Sequence, residues 1–366
     1  MLHDEAEFSV AAIMTSIITN SGAMVALRTL QVVGGDLTKT QQQVSSGLRV
    51  AKASDNAAYW SIATTMQSDK GAMQAVSDSI GFAKAVLDTT YNGMDSIRAE
   101  LTTIRNLVIT AQSLPPPTTN GYSNFTAYQP DSIYDQSQVA KVDAEIYQHW
   151  QQISSIVDSS SFGGVNLLKN DASEPDLPGS KTEFPTGYAN GQVLTISIDT
   201  KATTMINYGR TVDNLWNQPG SENMGYLDGM IWNANVIYPI TYVDSSGEVQ
   251  KNENIYTLRN SEVRIAHDGL DRNEYYNAMV NQLDERIQAV ASGMSVVGST
   301  QKRVELQDKF NRSMMDNVDK GVGRLVDADM EEASAKLAAT QTQQQLAIQS
   351  LNIANQAPET ILTLFH

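Results

Sequence analysis

Four carboxylates, Glu248, Glu253, Glu262 and Asp268, come closest to an acid–base set in this sequence. Two carboxyl groups facing one bond can act as general acid and as nucleophile or base in glycoside hydrolysis. Nothing in the spacing here pairs any two of them in one pocket, and scattered carboxylates in an acidic chain read as solvated. His3, His149, His267 and His366 lie too far apart for a short metal-ligand spacing, and no His-Glu-x-x-His motif occurs. The complete lack of Cys removes disulfides, thiolate metal sites and thiol nucleophiles. Gly321-Val322-Gly323 lacks the further residues of a dinucleotide or phosphate loop and reads as a helix junction. Met66, Met73 and Met94 read as adaptable packing. Asn124-Phe125-Thr126 and Asn311-Arg312-Ser313 fit a glycosylation triplet, the second inside an expected helix. No catalytic residue, metal ligand or cofactor is expected, and the chain does not read as an enzyme.

The elements must therefore supply the function themselves. The 366 residues carry 25 basic and 41 acidic side chains, a net charge of −16. That balance disfavours nucleic acid and anionic membrane, which call for clustered Lys and Arg. No apolar run approaches the roughly 18 residues of a membrane span. The opening, with His3, Asp4, Glu5 and Glu7, lacks the basic start of a secretory signal.

Proline divides the chain. The first is Pro115, and beyond Pro239 only Pro358 remains, so both flanks are free to form long helices. Leu30, Val33, Leu37, Thr40, Val44 and Leu48 step by threes and fours, predicting a helix that ends at Ser46-Gly47. Ser54, Asp55 and Asn56 offer capping oxygens to a second helix. Its stripe takes in Ile62, Met66, Ile80, Leu87, Tyr91, Met94, Leu101 and Val108, about 50 residues or roughly 75 Å, which suggests coiled-coil packing. A third helix carries Val139, Val142, Ile146, Trp150, Ile153 and Val157. In the C-terminal flank Leu283, Val290, Val297 and Val304 lead to Phe310 and Leu325, and a last helix follows with Leu337, Leu351 and Ile361. Between the flanks Val193–Ile198 reads as a strand, and Val236–Val243 with Ile255–Leu258 as strand, turn, strand. The fold class is mainly α: a long antiparallel helical hairpin of the two flanks, with a small β-containing insert.

From Met14 to Gln112 charged residues are about half as frequent as the roughly 25–35% of an ordinary surface. The last helix, with Gln343-Gln344-Gln345, is similarly poor in charge. Ser, Thr, Asn and Gln are buried against other chains at lower cost than unpaired charges. Both flanks are therefore expected to face copies of the same chain, building a homopolymer. The residues expected to pack subunits together are Leu30, Val33, Leu37, Val44, Leu48, Met66, Ile80, Leu87, Met94 and Leu101 on the first flank. On the second they are Val297, Val304, Phe310, Leu325, Leu337, Leu346, Leu351 and Ile361.

Several blocks resemble bacterial flagellin of the α-proteobacterial type: Val44-Ser45-Ser46-Gly47-Leu48-Arg49-Val50, Ala53 through Ala63, Ser161 through Leu168, Gly321 through Met330 and Ala354 through His366. The resemblance covers about 14–170 and 275–366. It implies a structural subunit of the extracellular flagellar filament, exported unfolded by the flagellar type III apparatus, with a secretion chaperone, a distal cap and hook-junction proteins as partners. The implied layout places residues 14–50 and 326–366 in an inner core, 51–171 and 271–325 in an outer core, and 172–270 in a variable surface domain dispensable for assembly. Residues 1–13 precede the family's usual start at Met14 and are expected to be absent from the mature protein. Residues 113–131 read as an insertion. The segment matching the family's innate-receptor site is Leu101–Thr110, where Thr103 and Asn106 replace an expected Arg and Glu while Arg105 remains, implying weak receptor engagement. A hook–filament junction protein shares the helical flanks but departs from this C-terminal tail; a surface enzyme on a helical stalk is the reading from a different class.

Overall fold

A computed structural model describes residues 20–118, 133–170, 181–189, 191–207, 225–227, 240–243, 249–252 and 258–362. Six α-helices lie among them: α1 (Ser21–Ser46), α2 (Ala57–Ser113), α3 (Gln138–Ser159), α4 (Leu258–Asp268), α5 (Arg272–Val326) and α6 (Met330–Leu362). The strands are short and form two-stranded sheets: β1 (Lys169–Asn170) pairs in parallel with β4 (Ile206–Asn207), β2 (Lys181–Ala189) antiparallel with β3 (Gln192–Asp199), and β5 (Ile240–Val243) antiparallel with β6 (Val249–Asn252). The mainly α class and the long flanking helices hold. The chain divides into two compact units, residues up to Lys70 with those from Asp316 onward, and Gly71–Met315.

In the first unit α1 lies antiparallel along α6: Asn20 Nδ2 donates to Ala354 O at 2.7 Å, and Ala328 N–H donates to Gly47 O at 2.9 Å. Gly47 ends α1 with φ 72°, a left-handed conformation that favours glycine, and returns its N–H to Gln43 O. Arg49 and Val50 N–H then both donate to Val326 O, so the segment after α1 is tied to the end of α5. A small core of Val50, Ala63, Val322 and Val326 sits there, with Met66 beside it. A Cβ at Gly321 would come 2.8 Å from Met66 Cε. The Gly-Val-Gly run, expected at a helix junction, lies inside α5, which continues to Val326.

The second unit is built on helical seams of unbroken three-four steps. In α2 the buried positions include Ile80, Ala83, Leu87, Thr90, Met94, Ile97, Leu101, Ile104 and Val108. In α5 Leu283, Val290, Val297 and Val304 recur every seven residues, and α3 presents Val139, Asp143, Ile146, Trp150, Ile153 and Val157. At several places the seam falls one residue from the large apolar neighbour that hydropathy selects. Thr90 is buried while Tyr91 is exposed, Ala63 while Ile62 is exposed, Asp143 while Val142 is half-buried. The expected step to Phe310 is likewise displaced: Phe310 is 58% exposed, and Asn311 holds the seam, its Nδ2 donating to Met73 O at 2.9 Å. Helical periodicity overrides side-chain size, and a buried polar seam residue is tolerated where it finds a partner. Thr90 donates to Val86 O, and Asn311 is thereby closed to glycosylation. Asn124 lies outside the described residues.

The insert departs from expectation in two ways. Val193–Ile198 falls within β3, but β5 returns as Val249–Asn252 and not as Ile255–Leu258; Val243 opposite Val249 sets the register, and Leu258 already opens α4. Pairing follows the point of chain reversal rather than the next apolar run. Residues 236–239 and 255–257 lie outside the described residues. The insert also contributes to the core of the second unit through Phe184, Ile196, Ile198, Met205, Leu227 and Leu258. Deleting much of 172–270 would therefore remove side chains from that core as well as surface residues.

Candidate functional site

The surface suited to binding further copies of the chain is built on α1 and α6. Their shared seam is made of small and medium side chains: Ala26 and Thr40 are buried on α1, and Ala333, Thr340 and Ala347, seven residues apart, are buried on α6. Leu30, Val33, Leu37 and Val44, and Leu337 and Leu351 opposite, are half-buried in the same three-four steps. Such a seam hides little apolar area. The faces turned away from it are unusually apolar: Met24, Val25, Leu27 and Val32 on α1, the last 65% exposed, and Leu346, Ile348 and Ile353 on α6, 58%, 44% and 70% exposed. Between Lys336 and Glu359 no charged residue interrupts α6, and α1 carries only Arg28, Asp36 and Lys39. Helix faces that are apolar and poor in charge on both sides of a seam require further partners.

The residues expected at subunit contacts fall into three groups. Ile80, Leu87, Met94, Leu101, Val297 and Val304 are closed off inside the second unit of a single chain and cannot touch a neighbour. Their reading as subunit contacts is corrected: the partner that buries their stripe is the chain's own helices. Leu30, Val33, Leu37, Val44, Leu48, Met66, Leu325, Leu337 and Leu351 are half-buried. Phe310 and Leu346 are exposed. The side chain of Ile361 lies outside the described residues. The exposed apolar residues of α1 were not singled out from sequence, although Met24, Val25, Leu27 and Val32 without intervening acids are a readable signal.

Within the capping run ahead of α2, Asn56 Oδ1 accepts from Tyr59 N–H at 3.0 Å. Asp55 Oδ2 turns back to the Ala51 and Lys52 N–H groups, 3.2 Å each. The expected helix cap is therefore corrected: the Asp55 carboxylate closes the loop before the helix, and Asn56 supplies the capping oxygen. In the receptor-like segment Arg105 pairs with Asp284 at 2.7 Å, Thr103 is half-buried and donates to Ala99 O, and Asn106 is exposed.

Of the candidate carboxylates, Glu248 and Glu253 lie outside the described residues, as does the side chain of Asp268. Glu262 is not solvated but buried, its Oε1 accepting from Arg272 Nε at 2.8 Å and Tyr276 Oη at 2.6 Å. Arg272 also donates to Ala111, Gln112 and Leu114 carbonyls, capping the C-terminus of α2. Glu262 thus joins α4 to α5 and, through Arg272, to α2.

Residues 17–115 match the N-terminal helical region of bacterial flagellin, and residues 280–365 its C-terminal helical region. Flagellin C of Rhizobium meliloti (strain 1021) is 34% identical over 364 residues, covering 96% of this chain and 99% of the relative. The chain belongs to the bacterial flagellin family. Flagellin B of Rhizobium meliloti is 32% identical and flagellin of Brucella melitensis biotype 1 29%, each over 96% of this chain and 100% and 99% of the relative. This flagellin is a structural protein, not an enzyme; it self-polymerises into the extracellular flagellar filament. The charge-poor outer faces of α1 and α6 lie within the two matched regions.

Proposed function

We propose that this flagellin polymerises through the outer faces of α1 and α6, which find their cover on the same helices of neighbouring subunits. The carrying observation is the apolar, charge-poor surface left beside a seam of Ala and Thr. On this reading residues 14–50 and 326–366 line the filament interior. Export unfolded through the flagellar type III apparatus, a chaperone on the C-terminal helix, a distal cap and hook-junction proteins complete the pathway by likeness to the family. Engagement of Arg105 by Asp284, with Thr103 and Asn106 beside it, supports weak contact with the innate flagellin receptor.

The test is a paired substitution on the exposed faces. Val32→Ser with Ile353→Ser should change monomer stability by no more than about 0.5 kcal/mol. Losing two apolar side chains from subunit contacts, about 1.5 kcal/mol each, should raise the critical concentration for polymerisation roughly 100-fold. Sedimentation across a concentration series reads the value. An unchanged critical concentration would place the contacts elsewhere.

A further inference from the structure

Gly34 and Gly35 stand side by side in the middle of α1, and a Cβ added at either would meet nothing within 4 Å. Glycine in a helix interior carries roughly a fivefold equilibrium penalty against alanine, and no packing within the chain calls for it here. The surroundings of the pair are sorted by charge. Leu27, Gln31, Gly34, Thr38 and Gln41 follow in three-four steps down one flank of α1, whereas Arg28, Asp36 and Lys39, the charged residues of this helix, share another. Leu27, Gln31, Gly35 and Thr38 are exposed. Thr38 Oγ1 donates to Gly34 O at 2.9 Å, so its hydroxyl is satisfied within the helix. The two glycines thus leave a shallow notch in a wall without charge.

We propose that this notch seats α6 of a second copy of the chain, the two helix backbones approaching more closely at Gly34 and Gly35 than any side chain there would allow. It rests on the reading that subunits join through the outer faces of α1 and α6, and fixes where the two helices meet. The occupant is a second copy because this flagellin polymerises with itself. It is α6 because a helix laid against a charge-free flank avoids burying an unpaired charge only if it brings none. From Leu337 to Pro358 α6 brings none. Thr342, Leu346, Gln349 and Ile353 form an exposed ridge along its outer side in the same three-four steps. Thr342 likewise satisfies its hydroxyl within its own helix, donating to Ala338 O at 2.9 Å. A ridge seated where the facing helix lacks side chains brings the axes to the near end of the usual distance of roughly 8–10 Å.

The experiment uses the full chain in two double variants, Gly34→Ala with Gly35→Ala and Gly34→Gln with Gly35→Gln. Both replacements are good helix formers, so circular dichroism below the polymerising concentration should show a helix signal and a melting temperature that hold or rise. A steadier α1 by itself would lower the critical concentration. A filled notch raises it, about tenfold for the Ala pair and on the order of 100-fold for the Gln pair, as read by sedimentation. A lowered or unchanged value in both variants overturns the proposal. So does an equal rise in both, which would mark helix stiffness rather than want of room. The Val32→Ser, Ile353→Ser chain run alongside separates this proposal from the broader reading. If that chain polymerises poorly while the glycine variants match the wild type, α1 and α6 join subunits but do not cross at the notch. If all three match the wild type, the broader reading falls as well.

Discussion

Truncation after Met330, removing residues 331–366, is expected to abolish filament formation at any accessible concentration while leaving residues 71–315 folded. The second unit keeps its own core, in which Ile80, Leu87, Leu101, Val290 and Val297 are all buried without help from α6. The first unit does not. Its α1 loses the helix that covers Ala26 and Thr40, and an isolated helix with Gly34, Gly35 and several Thr is marginal in water. Circular dichroism should show more helix lost than the deleted residues account for, because α1 melts with its partner. The thermal transition of the second unit should persist. Filaments assembled by the truncated chain would contradict the scheme.

Arg272→Ala is the second change with a large expected effect. The guanidinium gives Nε and Nη2 to Glu262 and its remaining donors to three carbonyls at the end of α2, with Tyr276 beneath it at 4.7 Å. Its removal strands a carboxylate that is 3% exposed and uncaps a helix. Breaking one side of a buried pair costs about 3–5 kcal/mol, roughly 10 °C in the melting temperature of a unit this size. Adding Glu262→Gln should recover a substantial part, since the stranded charge goes with it. By contrast, Arg98→Ala breaks an exposed pair with Asp95 and should cost below about 1 kcal/mol. Equal losses for both Arg variants would mean that Arg272 is not the tie described.

The helical architecture was legible because three-four spacing is a geometric property of the chain, independent of which neighbour buries it. Who buries it was legible only in part. The flanks read as an antiparallel pair within one chain. Stripe residues of α2 and α5 also read as contacts between subunits, yet Leu87 and Val297 are sealed within one chain, since a seam looks the same whether its partner is internal or external. The seam itself was misplaced by one residue at Phe310, Tyr91, Ile62 and Val142, each time toward the larger apolar side chain and away from Asn311, Thr90, Ala63 or Asp143. These residues are buried because the helix turns them inward, and a backbone or hydroxyl partner receives the three polar ones. Helix α4 escaped notice for the same reason. Its inward positions Leu258, Glu262 and Ile265 place a carboxylate in the middle of the stripe, which makes sense only once Arg272 and Tyr276 are in place to receive it. The outer faces of α1 and α6, in contrast, carried a composition signal that pointed to association.

Hydrogen–deuterium exchange of monomer against polymer tests the association surface most directly. Protection should rise by orders of magnitude on polymerisation along α1 around Met24–Val32 and along α6 around Leu346–Ile353, while Leu87 to Leu101 of α2, protected already in the monomer, changes little. Unaltered exchange in α1 and α6 of assembled filaments would show that these helices do not hold the subunits together.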